Sequence, residues 1–267
     1  MPGPPDGCVD DEQCIALTRD FRLLQKRRGH RYSVDDMLVA HLACTRGGSP
    51  RRVLDLGCGL GSVLLITAWA FRDAHLVGLE VLAEHVAFAR RNILLDGCEA
   101  RARVVHGDLR DRALVESLGP FDLVTGSPPY FGPGSGTLCA DRARAAAHFE
   151  INGGIEDYAA AADRSLTPGG LFVTCAGAEP PRRAQEAFGK AGLSVLYRQA
   201  VVPRTGRKPF LILLVGVKGP GYAASTLVEA PPLILRDEEG RLTPQHDAIR
   251  QWTGITQMSL PRIDPSS

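Results

Sequence analysis

The stretch RVLDLGCGLGSVLLITAWAF, residues 52–71, decides the architecture. Val53, Leu54 and Leu56 make a short apolar run of strand type, glycines follow at 57, 59 and 61, and SVLLITAWAF is long enough for a helix. A strand that passes through a glycine turn into a helix is the first half of a βαβ unit. Working outward, the same alternation continues to about residue 217. HLVGLEV, ARVVHGD, FDLVTGS and LFVTCAG read as strands, and AEHVAFARRNILLDG, RDRALVESLG, residues 155–166 and residues 181–191 read as helices. TPGG before LFVTCAG reads as a turn. Upstream, SVDDMLVAHLA predicts a helix over about 34–44, capped by Ser33. The pattern implies an α/β fold of Rossmann-like type, a central mostly parallel sheet with helices on both faces. LSVLYRQAVV and FLILLVGV, joined by the short loop PRTGRKP, predict a C-terminal antiparallel hairpin at the sheet edge. LVEAPPLILR predicts one more strand.

Composition narrows the function classes. The formal net charge is +1, so no global attraction to phosphate exists and a nucleic-acid partner must be held by a local basic patch. FRLLQKRRGHR, residues 21–31, supplies one, with Lys26, Arg27, Arg28, His30 and Arg31 close together. The seven cysteines are scattered and never form C-x-x-C, which predicts reduced thiols and no metal site. The N-terminal text lacks the basic and apolar regions of a signal peptide, and no apolar run nears the ~20 residues that span a bilayer. A cytoplasmic protein without a membrane partner is expected. Residues 1–20, rich in Pro, Gly and Asp, are expected to be disordered. The main domain is expected over 21–218, with 219–267 a strand and tail packed on it.

Three acids and three glycines describe a ligand. In DLGCGLGS, residues 55–62, Gly57, Gly59 and Gly61 allow positive φ and close approach of the backbone at the carboxyl end of a strand. The dinucleotide fingerprint needs two residues before its third glycine, whereas this stretch has one, which disfavours a bound pyrophosphate. Glu80 ends the next strand, where a carboxylate takes both hydroxyls of a ribose, and Asp108 ends the third, where it can accept from an adenine amine. Each acid alone also suits a helix cap. Together they point to an adenosine without a pyrophosphate, S-adenosyl-L-methionine.

The fourth strand then breaks at DLVTGSPPYF, residues 122–131. Pro128 and Pro129 cannot continue a ladder, because proline lacks an N–H and fixes φ. Ser127 and the carbonyl of Pro128 are left as fixed acceptors, with Tyr130 and Phe131 as flat apolar surfaces beside them. An exocyclic amine is a poor nucleophile, since its lone pair is delocalised into the ring. Two acceptors that bind its hydrogens favour the pyramidal form and stabilise the charge that develops on nitrogen. Tyr130 can stack on the planar target.

In RYSVDDMLVAHLA, LDLGCGLGSVLL, VGLEV, GDL, GSPPYFGPGS, DRARAAAHFE, LTPGGLFV, GRKPFLILL and WTGITQ, taken in order, the chain resembles the class I adenine N6-methyltransferases. Within them it is most similar to the bacterial enzymes acting on adenine 37 of valine tRNA. The resemblance covers about residues 21–257. It implies methyl transfer from S-adenosylmethionine to an adenine N6 in RNA, with the tRNA anticodon loop as partner and no metal. It assigns Tyr32, Ser33 and Asp35 to the edge of the cofactor pocket, beside Asp55, and Arg142, Arg144 and His148 to the loop flanking the target with Phe131. Lys26, Arg27, Arg28, Arg31, Arg207 and Lys208 would face phosphate. The sequence departs from the family at Ser127, where Asn is usual; a hydroxyl is shorter than an amide and donates as well as accepts. Two other readings share the cofactor: a protein glutamine N5-methyltransferase, whose carboxamide poses the same lone-pair problem, and a catalytically silent binding module.

Overall fold

Glycine decides where the first strand ends and its helix begins, and the chain obeys it. The computed structural model describes residues 11–130, 150–222 and 226–254. In chain order the strands are β1 (Glu12–Ala16), β2 (Arg22–Lys26), β3 (Arg52–Leu56), β4 (His75–Glu80), β5 (Ala102–His106), β6 (Phe121–Gly126), β7 (Leu166–Gly177), β8 (Leu193–Val202), β9 (Leu211–Lys218) and β10 (Val228–Ile234). The helices are α1 (Val34–Arg46), α2 (Ser62–Ala70), α3 (Ala83–Leu95), α4 (Arg112–Leu118), α5 (Ile155–Ser165), α6 (Arg183–Ala191) and α7 (Pro244–Trp252).

Eight strands form one sheet in the order β10-β8-β9-β7-β6-β3-β4-β5. Strands β7, β6, β3, β4 and β5 run parallel, and β9 runs antiparallel to β7 and β8. The connections reverse direction at β3, which pairs with β4 on one side and β6 on the other. That reversal opens a crevice at the carboxyl ends of these strands. Alternate strand residues enter two apolar layers. Val53, Leu76 and Leu123 pack with α1, α2 and α3, whereas Leu54, Leu79 and Val124 pack with α4, α5 and α6.

Three expectations are corrected. The hairpin β8–β9 is antiparallel but not the sheet edge, because β10 adds parallel to β8 beyond it. Pro231 and Pro232 suit that outer position, where a missing N–H costs no ladder bond. TPGG is no separate turn: it lies within β7, which shows its irregularity as a register shift opposite β6 between Phe121 and Leu123. Residues 11–20, expected to be disordered with the rest of 1–20, contain strand β1, paired antiparallel with β2; residues 1–10 lie outside the described part.

Buried polar contacts hold this small hairpin in place. Asn92 of α3, fully buried, accepts from the Leu24 N–H at 2.7 Å and donates to the carbonyls of Leu24 at 3.1 Å and Leu60 at 2.9 Å. Arg91 grips the buried carboxylate of Glu12 through two contacts of 2.7 Å. One asparagine thereby joins β2 to the glycine turn after β3. At the opposite side of α1, Trp252 of α7 meets the rings of His41 and Trp69 edge-on, at 5.1 and 5.5 Å. Among the described residues no helix is long and apolar enough to cross a membrane.

Asn92→Ala leaves buried backbone groups of Leu24 and Leu60 without partners. We expect a loss of about 3 kcal/mol in urea unfolding; a change within about 0.5 kcal/mol would show that the hairpin is held by other contacts.

Candidate cofactor and acceptor site

Gly57, Gly59 and Gly61 have φ of 59°, 54° and 89°, a region that side chains with a Cβ avoid. The turn needs more than dihedral freedom at Gly57, where an added Cβ would lie 2.1 Å from the Tyr158 hydroxyl. The Gly59 N–H, released from helical geometry, donates to Glu80 Oε2 at 2.9 Å. Glu80 Oε1 accepts from the Leu82 N–H at 2.8 Å, so the carboxylate is fixed between the two loops that follow β3 and β4. A cleft of about 610 Å³, its open mouth included, lies above them. Its walls include Gly57, Gly59, Glu80, Asp108, Ser127 and Pro129, four segments of sequence brought to one place. Asp108 is held by Arg110, whose guanidinium spans both carboxylate oxygens at 2.6 to 3.0 Å and keeps the group below its ordinary range.

The Ser127–Pro129 lip of the cleft follows β6. Thr125 is tied by its hydroxyl to Asp55 Oδ1 at 2.8 Å, and the strand stops at Gly126 before Ser127. Ser127 Oγ is buried and has no hydrogen-bond partner of good geometry; its neighbour is the buried Cys175 thiol, a weak one. Asp55, beneath the glycine turn, is 1% exposed with Oδ2 unpartnered.

Other expected site residues are not among those that wall this cleft. Gly61 is the residue before α2 and does not wall the cleft. Tyr32, Ser33 and Asp35 stand at the start of α1 outside the cleft walls, with Ser33 as N-cap and its hydroxyl donating to Asp35. Pro128 is buried, and Tyr130 borders a second, smaller cavity with Glu150, Glu179 and Arg183 on the far side of Pro129. Burial, with Asp35 and Cys175 nearby, raises the Tyr130 hydroxyl far above its ordinary value. Phe131, Arg142, Arg144 and His148 lie outside the described residues. Lys26 pairs with Glu84, whereas Arg27, Arg28 and Arg31 are exposed beside His30, a cleft residue. Arg207 and Lys208 are exposed in the β8–β9 turn. Leu211 after that turn pairs with Gly177, the last residue of β7, so the turn stands on the same carboxyl edge as the cleft.

Residues 53–170 match the family model described as a methyltransferase domain. A tRNA1(Val) (adenine(37)-N6)-methyltransferase from Aeromonas salmonicida is 32% identical over 205 residues, which are 75% of this chain and 82% of that protein. The chain belongs to that family. Another member, from Porphyromonas gingivalis, is 31% identical over 129 residues, 48% of this chain and 50% of its own length. A release factor glutamine methyltransferase from Caulobacter vibrioides is 31% identical over 188 residues, 67% of this chain and 62% of that one. Two solved structures share the fold. A predicted O-methyltransferase from Agrobacterium tumefaciens has a TM-score of 0.62 at 24% identity, covering 82% of this chain and 96% of its own. TrmN from Thermus thermophilus has a TM-score of 0.50 at 19% identity, covering 71% and 50%.

This member of the tRNA1(Val) (adenine(37)-N6)-methyltransferase family also places in its cleft residues that its sequence does not announce. His30 covers Gly59, where an added Cβ would meet its Nε2 at 3.3 Å, and its ring lies 5.0 Å from that of His85. His85 Nδ1 is 3.9 Å from Glu80. Tyr158 comes from α5, with its ring against Gly57 and Gly126. Beneath the cleft, Asp36 accepts from Ser62 Oγ at 2.9 Å. Burial pushes Asp36 and Asp55 up to about 7, and the charge of Asp35 adds to the rise at Asp36.

For both acids the folded form keeps a proton that the unfolded chain loses near the ordinary value of 3.8. Their contribution to stability is therefore full below that value and is lost as pH rises through about 7. We expect the melting temperature of the free protein to fall from about pH 5 to about pH 8, and to fall less in Asp55→Asn. Parallel curves for the two proteins would show that Asp55 ionises normally in the fold.

Proposed function

We propose that the protein transfers a methyl group from S-adenosylmethionine to the exocyclic N6 amine of an adenine in RNA, in a tRNA anticodon loop. One observation carries the reading: a single cleft at the strand-order reversal joins the glycine turn and Glu80 to the Ser127–Pro129 lip. Family membership supports it, since the relatives named above act on adenine 37 of tRNA1(Val) at N6. The enzyme would meet its RNA in the cytoplasm.

The residues suit the cofactor. Each Glu80 oxygen accepts one backbone N–H and keeps a lone pair, enough for the two hydroxyls of a ribose. Asp108 lines the same cleft, and Arg110 keeps it ionised and ready to accept from an adenine amine. Bound there, the cofactor supplies a methyl on a positively charged sulfur. Ser127 Oγ and the Pro128 carbonyl accept the two hydrogens of the target amine, localise its lone pair and stabilise the charge that develops on nitrogen. The buried Oγ lacks a good partner in the free protein, so it reorganises little when the amine arrives. Tyr130, next to this lip, suits stacking on the planar target. Arg27, Arg28 and Arg31 on one flank, and Arg207 and Lys208 on the other, suit the phosphates of an RNA loop. A loop base leaves its stack at a cost of only a few kcal/mol.

The test is incubation with methyl-labelled cofactor and tRNA, followed by digestion to nucleosides. Labelled N6-methyladenosine is the expected product. Label in release factor, with none in tRNA, would favour the glutamine reading that the Caulobacter relative raises. Glu80→Ala should weaken cofactor binding by about tenfold or more; unchanged affinity in calorimetry would remove the ribose contact. Ser127→Asn, which restores the usual family residue, should keep or raise turnover, and complete loss would mean that the hydroxyl acts differently here. Reversing the charge at Arg207 and Lys208 together should weaken tRNA binding and flatten its salt dependence by about two ions' worth. An unaltered salt slope would place the RNA elsewhere.

A further inference from the structure

The side chain of Tyr158 is 6% exposed, yet it belongs to the wall of the cleft. Its ring rests between the ends of β3 and β6: an added Cβ on Gly126 would lie 2.8 Å from its Cδ1, and one on Gly57 would lie 2.1 Å from its hydroxyl. No described residue hydrogen-bonds that hydroxyl, and the groups that act on it electrically are Glu80, Asp55 and two cysteines. Burial raises its pKa well above the ordinary phenol, so it is a neutral hydroxyl with an available lone pair.

The sheet order locates it against the bound cofactor. Strands β4, β3 and β6 are neighbours, and their carboxyl ends present Glu80, Gly57 and Ser127 in a row. If the ribose is at Glu80 and the target amine at Ser127, the sulfur that carries the methyl lies between them, over Gly57. That is where the Tyr158 hydroxyl is. We propose that Tyr158 binds the cationic sulfonium end of the cofactor through its hydroxyl oxygen, and so distinguishes the charged methyl donor from the neutral thioether product. A hydroxyl dipole attracts a cation in this enclosed setting and has no such attraction for an uncharged sulfide. The device favours loading of the donor and departure of the spent cofactor. It rests on the cofactor assignment made above and adds a residue that the glycine turn and the Ser127 lip do not include.

The test compares the native protein with Tyr158→Phe, titrated calorimetrically with S-adenosylmethionine and with S-adenosylhomocysteine. Phenylalanine keeps the ring in the cradle of Gly57 and Gly126, and thermal melting checks that the fold is retained. The expected result is a loss of about tenfold in affinity for the sulfonium ligand with the thioether affinity within about twofold of native. Equal losses for both ligands, or no loss for either, would overturn the inference while leaving the cofactor assignment standing. A native protein that binds neither ligand would instead overturn that assignment.

Discussion

The structure depends on the hydrogen bond from the Gly59 N–H to the carboxylate of Glu80. A glycine turn between a strand and a helix is intrinsically loose, since each glycine admits many backbone conformations. A buried carboxylate that accepts from the turn and from the Leu82 N–H removes that freedom and ties the ends of β3 and β4 into one unit. Bonds of backbone amides to a charged acceptor are stronger than neutral ones. With one lone pair of each oxygen engaged, the other remains on a residue that lines the cleft. The same contact therefore orders the turn and fixes the acid.

Around this point the chain leaves polar capacity unused. Among the described residues, buried Asp55 Oδ2 and Ser127 Oγ have no good hydrogen-bond partner and none hydrogen-bonds the Tyr158 hydroxyl; all three groups surround the ends of β3 and β6. An unsatisfied buried polar group costs roughly 1 to 3 kcal/mol, a large fraction of the stability of a typical domain. Other buried polar groups are satisfied: Asn92 pairs with three backbone groups at once, and Thr67, Ser165 and Thr174 return their hydroxyls to nearby carbonyls. Of the buried side-chain atoms without a partner among the described residues, Asp55 Oδ2 and Ser127 Oγ fall at these strand ends, whereas Asp96 Oδ2, Arg198 Nε and His246 Nε2 lie elsewhere. Groups that are already satisfied have little to offer a ligand, whereas preorganised and unsatisfied ones give most of their interaction energy to it.

Much of this was legible in the sequence, and the misses have physical causes. The alternation of apolar strands and helices from residue 52 reads correctly because each element buries its own face, and local periodicity reports that. Gly57, Gly59, Glu80 and Asp108 were legible because parallel strands deliver their carboxyl ends to one edge, so position along a strand predicts position in the cleft. Strand β1 was missed because its five residues, EQCIA, include a buried glutamate whose partner, Arg91, is 79 positions away. Composition near the N-terminus says nothing about such a contact. Tyr158 was missed because nothing local marks it: it is one aromatic on an alanine-rich helix, and its significance comes from two glycines on other strands. The smaller cavity that Tyr130 borders beside Pro129 was not legible either, because it is closed by Glu150, Glu179 and Arg183 from distant parts of the chain.

The basic residues show how topology completes what composition leaves open. A chain of net charge +1 has no overall attraction for RNA, and its cations act only where they are concentrated. Two turns do this, and they are far apart in sequence: residues 27–31 follow β2, and residues 203–210 join β8 to β9. An antiparallel excursion at the end of a parallel sheet necessarily brings its turn back to the carboxyl edge, because β9 must begin where β7 finishes. The hairpin bound by Asn92 brings the other turn to the same edge, with His30 entering the cleft beside it. An anion longer than the cleft would thus meet positive charge from both turns. The spread of charge along one edge, more than its amount, argues for a polyanionic substrate.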